Sequence, residues 1–115
     1  MKHTATLTML LLATCLAGLS VASTLNVPQD YATIQEALDA AEYGDQVMVA
    51  PGYYYENILW PQQSGIRLSG SGAEQTIIDG QEIDRTIYFP HVNFYTWNTT
   101  IEGFTITGGK ATGQL

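Results

Sequence analysis

From residue 45 onward, the chain abandons helical spacing and breaks into short runs rich in β-branched and aromatic residues, most of them parted by glycine-bearing turns. The runs are 46–50, 54–60, 66–69, 76–78, 86–89, 100–102 and 104–107. Taken from Val47, Ile66, Ile87 and Phe104, their apolar starts recur at spacings of 19, 21 and 17 residues. Similar coils joined by loops of unequal length would give that pattern, which predicts an all-β solenoid. An antiparallel sandwich also has short strands, but with hairpin turns between neighbours and closer spacing.

One segment before these runs is helical. In TIQEALDAAEYG, Ile34, Ala37, Leu38 and Ala41 fall at i, i+3, i+4 and i+7 and form one apolar stripe. Thr33 and Glu36 have capping-box spacing, and Gly44 can adopt the left-handed conformation that ends a helix. The first coil of a solenoid exposes its interior and unpaired strand edges at one end. A helix over 33–43 with one apolar face is suited to cover that end.

The first 22 residues read as a signal peptide: Lys2 and His3, an apolar stretch from Leu7 to Leu19, then small residues. Ser20 and Ala22 supply the small positions for cleavage before Ser23, and Val21 and Ser23 would serve a cut before Thr24. The apolar stretch is shorter than the about 20 residues a membrane span needs. Cys15 could suggest lipid attachment, but Thr14 before it fits poorly, so Cys15 reads as leader filler. The predicted mature chain, 23–115, then has no cysteine and relies on packing and backbone hydrogen bonds. It carries three basic residues (Arg67, Arg85, Lys110) against eleven acidic ones, a formal charge of −8. That balance excludes nucleic acid as a partner, and its spread along the chain describes a solvated surface.

Residues 27–58, VPQDYATIQEALDAAEYGDQVMVAPGYYYENI, resemble the opening of bacterial right-handed β-helix proteins of the pectin-lyase-like superfamily. In that group an "x-T-I-Q-x-A-[IL]-x-A-A" helix precedes "G-D-x-V-x-V-A-P-G-x-Y-x-E-N-I", and 33–41 and 44–58 reproduce both. IRLSGSG (66–72), TIIDG (76–80) and TIEGFTITGG (100–109) are similar to the next coils, whereas 81–99 match least. Pectin methylesterase openings are also similar, through Gly70, Gly72 and 76–80; their catalytic glutamine, aspartates and arginine lie in later coils. The resemblance implies a right-handed parallel β-helix with an N-terminal capping helix and its first three to four coils, truncated at the C-terminus. It implies architecture more than activity, because this fold serves lyases, hydrolases, esterases and non-enzymatic surface proteins.

Candidate chemistry is sparse. Asp79, Glu82 and Asp84 are close in sequence, as paired carboxylates for sugar chemistry would be, but Asp79-Gly80 has the composition of a tight turn. Strict alternation would bury Glu56 beside Tyr54 and Ile58, so a bend or a backbone hydrogen bond is expected there. His91, without a cysteine or second histidine in the mature chain, cannot build a usual transition-metal site alone. No catalytic, cofactor-binding or metal-ligating residue is assigned.

Aromatics cluster at Tyr53, Tyr54, Tyr55 and Trp60, and at Tyr88, Phe89, Phe94, Tyr95 and Trp97; alternate members are expected to stack inside the coils. The insertion 90–98 breaks the coil rhythm, so Phe94, Tyr95 and Trp97 are the candidate carbohydrate-contacting residues. The expectation is an exported or cell-surface β-helix module, structural or carbohydrate-binding, whose partners are polysaccharide and the later coils of its own chain. The alternative is the N-terminal scaffold of a polysaccharide-active enzyme of the pectate lyase or pectin esterase type.

Overall fold

The computed structural model describes residues 21–91 and 93–111. Most of the predicted leader, with Cys15, lies outside the described residues. The strands are β1 (Thr24–Val27), β2 (Gln46–Val49), β3 (Gly52–Tyr55), β4 (Ile58–Leu59), β5 (Arg67–Ser69), β6 (Thr76–Asp79), β7 (Ile87–Tyr88), β8 (Thr100–Glu102) and β9 (Thr105–Thr107). One short helix, α1 (Ile34–Ala40), lies between β1 and β2.

All strand pairs among the described residues are parallel, in three sheets ordered β1-β2-β5-β8, β3-β6-β9 and β4-β7. The chain visits the three sheets in turn and returns to the first, which makes a β-solenoid of about three coils. Register puts like on like. Leu25, Val47, Leu68 and Ile101 form one ladder, Tyr54, Ile78 and Ile106 a second, and Ile58 and Ile87 a third. Alternation sends these side chains inward, where Val47, Leu68 and Ile78 are fully buried. Trp60 stacks on Phe89 one coil on, with ring centroids 4.8 Å apart.

The observed ladders correct the repeat inferred from apolar strand starts. Val47 stacks on Leu68, not Ile66, and Ile87 belongs to a different sheet, beneath Ile58. The expected run 54–60 is also two strands, broken at Glu56-Asn57. A bend there frees the Glu56 carboxylate to accept hydrogen bonds from the amides of Ile34 (2.9 Å) and Gln35 (3.1 Å), at the start of α1. These donors lack partners inside the helix, and the carboxylate charge opposes the helix dipole.

Thr33 caps α1 as its spacing predicts, its Oγ1 accepting the Glu36 amide at 3.1 Å. The helix stops earlier than expected, at Ala40 and not near Gly44. Asp45 causes this: its Oδ2 accepts the Glu42 amide at 2.8 Å, and Ala41 turns to extended geometry. Ile34, Ala37, Leu38 and Ala41 all join the core, as the apolar stripe requires. Gln35 ties the helix to β4, donating to Leu59 O (2.8 Å) and accepting from Leu59 N (2.8 Å), as a neighbouring strand would.

Coils meet most closely at the corners between sheets. A Cβ on Gly70 would collide with the Gly103 carbonyl, and one on Gly103 would lie 2.7 Å from the Gly70 carbonyl. Glycine permits this approach, and Gly103 also has φ +82.

Candidate functional site

The insertion carrying Phe94, Tyr95 and Trp97 is a folded-down loop held at several points. The Phe94 amide donates to His91 O (2.8 Å), the Thr96 amide to Ser64 Oγ (2.9 Å), and the Gly65 amide to Thr99 Oγ1 (2.9 Å). Asn98 Nδ2 donates to the Tyr43 hydroxyl at 2.7 Å, tying the loop to the segment after α1. Thr96 Oγ1 also contacts Asn98 Oδ1.

The three rings have different fates. Tyr95 packs edge-on against Phe89, with centroids 5.2 Å apart, and its hydroxyl donates to Trp60 O at 3.3 Å. Burial pushes its phenol above the ordinary value of 10.0, with a backbone hydrogen bond at His91 acting against that. Phe94 stands against Tyr95 at 5.7 Å and remains 43% exposed, while Trp97 is 93% exposed. The loop therefore presents two rings and uses the third as its anchor. Beside Phe94 lies an open depression of about 430 Å³ lined by Gln62, Pro90, His91 and Asn93. It joins an aromatic face to side-chain amides and an imidazole, a combination able to stack on a sugar ring and hydrogen-bond its hydroxyls.

A second aromatic surface was not resolved from sequence. Tyr53 and Tyr55 point outward from β3 with rings 6.2 Å apart and inclined by 22°, both more than half exposed. Alternation showed that half of the Tyr53–Tyr55 run must face out. Which half depends on register, and pairing Tyr54 with Ile78 turns Tyr54 inward. The Tyr54 hydroxyl donates to Ala50 O at 2.8 Å, and burial, reinforced by the Glu56 charge, raises its pKa.

The acidic residues 79–84 are engaged locally. Asp79 Oδ1 accepts the Gln81 amide at 2.8 Å, closing the turn expected at Asp79-Gly80. Gln81 and Glu82 follow in left-handed geometry, with φ 58 and 57, and are exposed. Asp84 accepts the Arg85 amide (2.7 Å) and lies 3.8 Å from the Arg85 guanidinium, which in turn covers the Tyr88 ring at 4.4 Å. His91 is exposed. Among the described residues no group of three or more His, Cys, Asp or Glu could hold a metal ion, and no helix is long and apolar enough to cross a membrane.

At the far end of the stack, β7, β8 and β9 carry no further strand among the described residues. Among the described residues nothing covers the interior there. A groove of about 510 Å³ is lined by Arg85, Ile87, Phe89, Ile101, Ile106 and Lys110, and Ile106 is 47% exposed although it continues the ladder of Tyr54 and Ile78.

No family model matches the chain, and no solved structure matches it. Among curated proteins it is similar to a cell surface glycoprotein of Methanothermus fervidus, 34% identical over 97 residues. The match covers 83% of this chain and 15% of that protein, so the chain spans a small part of the length of its relative.

Proposed function

We propose that the chain is the opening module of a longer exported surface protein, in which it starts a stack of parallel coils. The observation that carries this reading is the asymmetry of the solenoid. Leu25 and Val27 of β1 are buried next to α1, whereas Ile101 and Ile106 of the last coil border an open apolar groove. An inward ladder that reaches an uncovered edge is suited to being continued by another coil. Similarity to a segment of a cell surface glycoprotein supports the surface assignment.

Within this reading the coils wind right-handed, as in pectin-lyase-like proteins, α1 serves as the lid of the first coil, and 23–115 is the mature part. The surface role includes contact with polysaccharide through Phe94 and Trp97, with Gln62 and Asn93 supplying hydrogen bonds beside them. Titration against a panel of soluble plant and microbial polysaccharides tests this. Replacing Phe94 and Trp97 with alanine should weaken retention at least tenfold, because each lost stacking contact removes about 1 kcal/mol. Unchanged binding by a folded F94A/W97A variant would remove the carbohydrate role and leave the structural one.

A further inference from the structure

Asp45 is a carboxylate with 7% of its surface exposed. Its Oδ2 accepts the Glu42 amide, and its Oδ1 accepts the backbone nitrogen of Ser23 at 2.8 Å. Among the described residues no Lys or Arg pairs with it; the one ion pair recorded joins Arg85 and Asp84. A buried carboxylate held by two neutral amides and no cation is an incomplete arrangement, since a buried charge is stabilised by an opposite one.

Ser23 is the residue after the first of the two candidate cleavage points, and Val21, Ala22 and Ser23 are all exposed in an irregular segment that a peptidase can reach. We propose that the Ala22–Ser23 bond is the processing site and that the α-ammonium released at Ser23 is the counter-ion of Asp45. Water adds to the Ala22 carbonyl, the C–N bond breaks, and Ala22 leaves as a carboxylate. The Ser23 nitrogen takes both of the water's protons and becomes an ammonium, and the exporting cell's peptidase supplies the catalysis. A backbone N–H that already donates to Oδ1 at 2.8 Å thereby becomes a charged donor in place. Cleavage one residue later, before Thr24, would remove this donor together with the Ser23 carbonyl that accepts the Gln46 amide at 2.9 Å. The geometry thus distinguishes two cuts that small-residue rules leave equivalent. Processing and folding become linked, because removing the leader turns the existing tie between the start of β1 and the turn after α1 into an ion pair. This inference rests on the export reading and not on the carbohydrate reading.

The test is to produce the full chain in a secretory host, determine the N-terminus by intact mass, and measure acylation of that amine by a limiting succinimidyl ester at neutral pH. The expected result is a Ser23 N-terminus that reacts roughly tenfold more slowly in the folded protein than in urea, an ion pair holding the amine protonated. Asp45→Asn should restore the faster rate. If D45N does not fold, a glycine inserted between Ala22 and Ser23 moves the ammonium off the carboxylate and should restore it without touching the core. A Thr24 N-terminus, a retained leader, or a Ser23 amine equally reactive folded and unfolded would overturn the proposal. So would protection that persists in D45N or in the glycine insertion, because steric cover alone would then explain it.

Discussion

Glu56 shows how a single side chain can join two elements. Placed in a strand by its neighbours, it bends out of the ladder and closes the first amides of α1 from 2.9 and 3.1 Å. Glu56→Ala should cost about 1–2 kcal/mol in urea unfolding, and Glu56→Gln less, because an amide oxygen keeps one acceptor but loses the charge. Tyr54 and Tyr95 set an alkaline limit. Both phenols are raised chiefly by burial, so the fold favours their neutral forms. Their contribution is complete below the ordinary tyrosine value of 10.0 and is lost as pH rises through the higher folded values. Thermal midpoints should therefore fall above pH 10, and Tyr54→Phe should lessen that fall; a flat profile across this range would contradict the burial assigned to both rings. Trp60 carries a different burden, an Nε1 that is buried without a hydrogen-bond partner among the described residues.

At the scale of elements, the corner glycines govern how closely coils can stack. Gly70→Ala sets a methyl group against the Gly103 backbone and should destabilise by about 1–3 kcal/mol, read as a lower denaturation midpoint with the same fold by circular dichroism. The helix, its N-cap at Thr33 and most strands were legible because each is written locally, in a period of 3.6 or 2 and in capping residues. β1 was missed: TLNV is short and follows directly on the predicted leader. Coil register was misread for a physical reason. Every sheet shows the same alternation, so an apolar start in one aligns equally well with a start in another, as Ile87 did. The true ladder from Val47 to Leu68 spans 21 residues, but the next step to Ile101 spans 33, stretched by the turn at 79–84 and the loop at 90–99. The candidate loop was legible because it interrupts the coil rhythm. The inward turn of Tyr95 was not, since it depends on Trp60 and Phe89 in other parts of the coil.

For the molecule as a whole, stability rests on ladders that bury Leu25 and Val27 beside α1 and leave Ile106 half-exposed in β9. The uncovered groove predicts association through that end, so Ile106→Lys should reduce concentration-dependent sedimentation while leaving the melting transition nearly unchanged, as suits a half-exposed position. The parallel coil register is the central claim, and paired cysteines test it most directly. In a Cys15→Ser background, Tyr53→Cys with Ile77→Cys places two thiols on directly opposed, outward-facing residues of β3 and β6. Tyr53→Cys with Ile78→Cys places them one residue out of register, on opposite faces of the sheet. Mild oxidation should close an intramolecular disulfide in the first pair and not in the second; equal cross-linking of both, or of the second alone, would contradict the stacked-coil account.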